Sequence, residues 1–493
     1  MNSKTTSLGA AIGLSAAALF GQVPVSDAPL AALRSLKIDT ATSTQVERDP
    51  SGGRVIVKLI LHPAKGSHIN VEIWLPAAAK WNGRFLGLGN GGAAGKINPA
   101  GLAGASAAGF AVATTDMGTA PNADSGVGNP EVWKDFGYRA THLMTVTGKQ
   151  VAQAYYGKAP ELAYFSGGST GGQQALQEAQ RYPEDYDGIA AAVAAHCRTP
   201  LHAYFLWNDQ ILKKCPFTKA QDANIMAAAN EFMAAREIPA SAGKFVSDPR
   251  CTPPDIEAVI ALARKKDASL TDDHAAALRK LFAGPRHAVT GERIFNGIPL
   301  GSSLEASHGH LYLFKWVFGA EKNLDDINFG ADIDTYTAKL APYLNAENPD
   351  LSAFQKRGGK LVMTLGTADS VVPYHASIDY YERVTERLGG LEKTQACFRF
   401  FLVPGLSHGG GPGINQPPNL LEAVRAWREQ GTAPDGLLGR HVENGRMTLL
   451  MPIYPYPQRT GWDAKARIFE PMDGPRGGVE RIAERFRPAA AGE

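Results

Sequence analysis

Apolar and polar positions alternate over Val55–His62 and again over Ile69–Leu75, the period-two pattern of half-buried strands. The two runs predict an antiparallel pair at the edge of a sheet. Further along, the apolar runs shorten and lose their alternation: Arg84–Leu88, Gly109–Asp116, Leu162–Phe165, Asp187–Ala195, Gly359–Gly366 and Cys397–Pro404. Runs of that kind belong to strands covered on both faces. Helix-forming stretches fall between them, at Phe136–Tyr156, after Ser169 as far as Pro183, and from Tyr374 through Tyr381. Strands and helices that alternate in this way predict an α/β class, with a largely parallel sheet and helices on both of its faces.

The pattern changes from Thr199 to Leu344. Helical, polar segments (Gln221–Glu237, Asp255–Lys266, Asp272–Phe282) replace strand-like runs, which predicts a large lid inserted between two sheet strands. Its aromatic residues Tyr204, Phe205, Trp207, Tyr312, Phe314, Trp316 and Phe318 are candidates either for an apolar acyl pocket or for ordinary core. The tail after Tyr456, rich in Arg, Gly and Pro, is expected to pack loosely over the surface. The predicted organisation is a leader over 1–28, a first core segment over 29–198, the lid over 199–345, a second core segment over 346–460 and a tail over 461–493.

Composition narrows the function classes. A net charge of +2 over 493 residues argues against a nucleic-acid partner or a membrane-surface role. Lys4, the small and apolar stretch Leu8–Phe20 and a small-residue zone ending near Ala28 resemble a secretory signal, so a secreted or periplasmic location is expected. A disordered Ala-rich N-terminus is the alternative. Beyond that segment no apolar run is long enough to span a bilayer. Export would permit disulfides. Cys197, Cys215, Cys251 and Cys397 match no zinc spacing, and Cys215 and Cys251 either pair or remain thiols.

The candidate chemistry begins at Tyr164-Phe-Ser-Gly-Gly-Ser169-Thr-Gly-Gly. A buried strand, a tight turn carrying Ser and then a helix is the setting that makes G-x-S-x-G a nucleophile elbow. Glycines are needed because neighbouring Cβ atoms would collide with the strand or the helix, and the helix N-terminus offers N–H groups to a developing oxyanion. A second match, Gly405-Leu-Ser407-His-Gly409, runs into Gly410, Gly411, Pro412, Pro417 and Pro418. No helix can start there, so context selects Ser169. Asp369 follows the strand Gly359–Gly366, and His408 follows the strand Cys397–Pro404. Ser, then acid, then His, each on a loop past a strand, is the order required of α/β hydrolases. His375 lies too close to Asp369 along the chain to turn back on it, and His441 sits in a late polar segment. The glycine-dense loop Gly89–Gly95 either approaches a ligand closely or is a flexible turn.

Several further motifs resemble the tannase and feruloyl esterase family of α/β hydrolases, which also includes hydrolases of mono(2-hydroxyethyl) terephthalate. They are Trp81-Asn-Gly-Arg-Phe with Gly89-Asn-Gly-Gly92, Thr114-Thr-Asp-Met-Gly118, Asp135-Phe-Gly-Tyr-Arg-Ala140, Gly168-Ser-Thr-Gly-Gly172, Arg181-Tyr-Pro-Glu-Asp-Tyr-Asp-Gly188, Pro349-Asp-Leu-Ser-Ala-Phe, Ile378-Asp-Tyr-Tyr-Glu-Arg383 and Val403-Pro-Gly-Leu-Ser-His408. The resemblance spans roughly Ala32–Tyr456. It implies an α/β-hydrolase fold with a lid, the triad Ser169, Asp369 and His408, and oxyanion donors at the Thr170 N–H and the Gly92 region. It also implies a small-molecule aromatic ester as substrate and no cofactor. Two departures stand out. The family usually has cysteines, bridged to each other, before the nucleophile and after the histidine, where this chain has Gly168 and Gly409. Family members often bind calcium in the lid, but Met233–Asp248 lacks the carboxylate cluster that a hard cation needs, so no lid calcium is expected. A serine amidase or peptidase, an esterase of another acyl class and a non-catalytic ligand-binding relative remain as alternatives.

Overall fold

The computed structural model describes residues 27–487, apart from 51–52, 238–249, 305–309, 411–412, 464 and 467. Most of the sequence read as a leader, and the greater part of the lid stretch read as lacking a calcium site, therefore lie outside the described residues.

Nine strands form the central sheet: β1 (Ala41–Arg48), β2 (Arg54–Leu61), β3 (Ile69–Pro76), β4 (Arg84–Leu88), β5 (Ala111–Thr115), β6 (Leu162–Gly168), β7 (Gly188–Ala192), β8 (Lys360–Gly366) and β9 (Phe398–Val403). Their order is β1-β2-β3-β5-β4-β6-β7-β8-β9. The pairs from β1 through β3 to β5 are antiparallel, and every pair from β5 to β9 is parallel. The alternating runs β2 and β3 do pair, in register from Arg54 opposite Pro76 to Leu61 opposite Ile69. They are not the sheet edge, however. That place belongs to β1, whose sequence Ala-Thr-Ser-Thr-Gln-Val-Glu-Arg is intermediate or exposed at every position. An edge strand with no buried face needs no apolar alternation, so it carries no hydrophobic signal.

Leu30, Leu33, Met144, Val151, Leu176 and Tyr380 bring the helices Asp27–Ser35, Ala140–Tyr156, Thr170–Arg181 and Tyr374–Leu388 onto one face of the sheet. Leu102, Val424 and Trp427 bring Pro99–Ala107 and Leu420–Gln430 onto the other. The chain leaves β4 toward β5 on one side and returns to β6 on the other. A crevice opens at such a reversal, at the carboxyl ends of the strands. Between β7 and β8 the chain departs through the helices Arg198–Lys214, Lys219–Glu237, Pro253–Lys266, Asp272–Ala283, Tyr312–Phe318 and Ala331–Leu344. Two small hairpins follow the sheet, β10 (Leu437–Glu443) with β11 (Arg446–Ile453) and β12 (Arg459–Asp463) with β13 (Ile468–Met472).

The tail runs over the surface, mostly exposed, but it is anchored near its end. Ile482 and Phe486 are buried, and Arg487 reaches the buried Asp379 at 2.8 Å. A few apolar side chains and the ion pairs of Arg476, Arg481, Arg485 and Arg487 hold it, a set that forms no periodic pattern. No disulfide joins any of the four cysteines. Among the described residues no helix is long and apolar enough to cross a membrane.

Candidate active site

Ser169 sits between β6 and the helix Thr170–Arg181 with φ +57° and ψ −114°. A residue with a side chain in that region is strained and must be held there. The holding bonds are Ser169 N–H to Ala192 O at 2.9 Å and Ala195 N–H to Ser169 O at 3.1 Å. The turn is tight on its inner side, where a Cβ on Gly167 would fall 2.5 Å from Gly171 O. Gly168 is different. A Cβ there would meet Ala192 only at 3.6 Å, and one on Gly409 would meet nothing within 4 Å. Neither backbone adopts positive φ among the residues that do so.

The three residues singled out from separate parts of the sequence converge. His408 Nε2 lies 3.0 Å from Ser169 Oγ, and His408 Nδ1 lies 2.9 Å from Asp369 Oδ2. Asp369 is fully buried and its other oxygen, Oδ1, accepts from the N–H groups of Val371 and Val372 at 2.9 and 2.8 Å. That carboxylate can only accept, so Nδ1 carries the ring proton and Nε2 presents a lone pair to the Ser169 hydroxyl. The rival histidines are elsewhere. His375 lies half-buried in the helix Tyr374–Leu388, where desolvation and the nearby Arg293 hold it down to about 3. His441 hydrogen-bonds Gly413 O at 2.9 Å from β10.

Thr170 is the first residue of its helix, so its N–H has no intrahelical acceptor and is available to a ligand. The loop after β4 is brought against it. Gly171 N–H donates to Asn90 O at 2.6 Å, Asn90 N–H donates to Gln174 Oε1 at 2.8 Å, and Thr170 Oγ1 donates to Gly92 O at 2.7 Å. Of the two readings of Gly89–Gly95, the structure supports close approach: Gly91 and Gly92 border the same cavity as Ser169.

That cavity holds about 230 Å³ and is lined on the lid side by Arg198, Leu201, His202, Phe205, His310 and Tyr312. Two of the seven candidate aromatics thus face it. Three of the others are core: Tyr204 donates to Ser370 O, Phe314 stacks on Tyr336, and Trp316 packs edge-on against Phe136, while Trp207 and Phe318 are partly buried against it. Trp207 donates from its indole to Lys280 O. Burial and the neighbouring Arg198 push His202 well below the usual histidine range, and His310 is lowered by the same two causes, so both rings are neutral at pH 7. Arg198, His202 and His310 carry no motif in the sequence. Only the position of Arg198 at the start of the helix after β7 could have marked it.

On the elbow helix itself, Glu178 is buried. Burial, and then the adjacent Asp185, raise it well above the usual carboxylate range. The folded state thus binds a proton that the unfolded chain releases near its ordinary value, and stability falls as pH rises from there through the folded value. Glu178→Gln keeps the shape without the ionisation. Its melting temperature is expected to match wild type near pH 4 and to exceed it increasingly toward pH 9, as differential scanning calorimetry would show. An unchanging difference across that range would mean that Glu178 is ionised in the fold.

Comparison with known proteins bears on the family and the fold. The family model described as tannase and feruloyl esterase matches residues 53–321 and 313–471. An uncharacterized esterase of Xanthomonas campestris is 31% identical over 487 residues, covering 85% of this chain and 84% of the relative. Feruloyl esterase B of Aspergillus niger is 30% identical over 423 residues, 80% of each chain. The crystal structure of feruloyl esterase B from Aspergillus oryzae superposes with a TM-score of 0.76 at 24% identity, over 90% of this chain and all of that one. Tannin acyl hydrolase from Aspergillus niger gives 0.74 at 18%, over 94% and 97%.

Proposed function

Since the chain belongs to the tannase and feruloyl esterase family, has its α/β-hydrolase fold and is a carboxylic ester hydrolase, we propose that it cleaves esters of aromatic, phenolic acids through a serine acyl-enzyme. The observation that carries this reading is the chain of contacts from Ser169 Oγ through His408 to Asp369, at 3.0 and 2.9 Å, with Ser169 and His408 lining one cavity. In the proposed reaction Ser169 Oγ attacks the ester carbonyl while His408 Nε2 takes its proton. Asp369 keeps the imidazole oriented and favours the imidazolium. The N–H groups of Thr170 and Gly92 receive the oxyanion. Collapse expels the alcohol, protonated by His408. Water then attacks the acyl-enzyme by the same steps in reverse and releases the acid.

The segment 199–345 serves in this reading as the lid, whose wall of Leu201, Phe205 and Tyr312 takes the aryl group of the acid. A cavity of about 230 Å³ suits one substituted ring rather than a long acyl chain. Names of relatives, feruloyl esterase and tannin acyl hydrolase, point the same way. Residues 1–28 fit a secretory leader, which would place the enzyme in the periplasm or outside the cell.

The test is a panel of methyl ferulate, methyl gallate, their amides and p-nitrophenyl esters of short and long aliphatic acids. The aryl methyl esters are expected to give the highest kcat/KM, by at least about 10-fold over octanoate and more over the amides. A preference for aliphatic acyl groups would refute the acyl class, and amide turnover matching that of the esters would refute the esterase reading in favour of an amidase.

A further inference from the structure

We propose that Arg198 is the positioning residue of the oxyanion site: one guanidinium fastens Gly92 to Thr170 and sets a fixed positive charge behind both donors. This rests on the serine-esterase reading, which assigns those N–H groups to the oxyanion.

Arg198 opens the helix that leaves β7, and its residue is 4% exposed. Its Nη2 donates to Thr170 Oγ1 at 3.0 Å, to Tyr312 OH at 2.8 Å and, more weakly, to Gly92 O at 3.3 Å. Thr170 Oγ1 in turn donates to Gly92 O at 2.7 Å. Thr170 and Gly92 come from different strand ends; main-chain bonds at Asn90 bring the loop to the helix, and this triangle ties Gly92 itself to Thr170. Gly92 needs such a fastening. It adopts φ +81° beside Gly91 in a glycine-rich loop, with open space where a Cβ would be. Its own chain supplies little stiffness.

The charge matters separately from the bonds. A buried guanidinium ordinarily faces a carboxylate, because desolvating an unpaired charge is costly. Among the described residues none lies within ion-pair distance of Arg198, its Nε has no acceptor, and its flat face lies 5.3 Å from the ring centre of Phe136. Its neighbours are neutral dipoles and the cavity. A cation left uncompensated in the resting site gains a partner when the carbonyl oxygen becomes an oxyanion, so it favours the transition state over the ground state. Burial, and after it the charge of Arg198, lower His202 and His310, which share the cavity.

Three variants separate the parts. Arg198→Gln keeps a donor but loses the charge, and kcat is expected to fall about 10²-fold with KM changed less than about threefold. Arg198→Lys keeps the charge without the planar fork and should recover roughly 10-fold of that loss. Thr170→Val removes the link to Gly92 while keeping its N–H, and should cost kcat about 10-fold. The discriminating readout is an aryl trifluoromethyl ketone, which forms an oxyanion on the serine. Its affinity should fall in parallel with kcat/KM across the series, while that of the matching ground-state amide stays put. Equal losses for ketone and amide, or wild-type kcat in Arg198→Gln, would overturn the proposal. Labelling by a fluorophosphonate keeps this distinct from the underlying reading. A label on Ser169 leaves the kinetic result to bear on Arg198 alone, whereas a label elsewhere in wild type refutes the nucleophile itself.

Discussion

Ser169→Ala is expected to lower kcat by about 10⁴- to 10⁶-fold on an aryl methyl ester, with KM within a few-fold of wild type. The size follows from what the change leaves in place. Alanine retains the Cβ, so the backbone at φ +57° is no more strained than before, and the bonds to Ala192 and Ala195 that hold it are main-chain. The cavity and both candidate oxyanion donors also persist, so substrate still binds. Only the covalent step is lost. Residual turnover would come from water attacking a substrate polarised by Thr170 and Gly92. Initial rates and circular dichroism on the purified variant check this. Turnover at the wild-type rate would show that the nucleophile lies elsewhere.

Asp369→Asn should cost nearly as much, about 10³- to 10⁴-fold in kcat, without unfolding the protein. The reason is directional. The N–H groups of Val371 and Val372 both point at Oδ1, so an asparagine must keep its oxygen there and turn its amide nitrogen toward His408. The amide then donates to Nδ1, which has to become the acceptor, and the ring proton moves to Nε2. There it faces Ser169 Oγ, 3.0 Å away, and can no longer take the serine proton. An isosteric change thus disables the base through its tautomer alone. A melting temperature near that of wild type with a collapsed kcat would show this, whereas full activity would mean that Asp369 is only a structural acceptor for its loop.

The parts of this fold that could be read from sequence are those in which local chemistry and tertiary role coincide. The strands β4 to β9 are buried on both faces and must be apolar, so they announce themselves. Ser169, Asp369 and His408 each stand just past such a strand, which made their meeting foreseeable although up to 239 residues separate them. β1 was silent because an exposed edge asks nothing of its side chains. Arg198 and His202 were missed because what distinguishes them is the company they keep, burial without a carboxylate, and no spacing along the chain encodes that. The lid aromatics show the limit of composition. Phe205 faces the cavity and Tyr204, its neighbour, is core, since helical geometry turns consecutive side chains about 100° apart.

Gly168 and Gly409 flank the serine and the histidine where a Cβ would meet no clash, and nothing covalent spans them. The alignment of nucleophile and base is therefore indifferent to thiol–disulfide poise. The site can assemble equally in a reducing or an oxidising compartment, and it carries no bridge for a reductant to open.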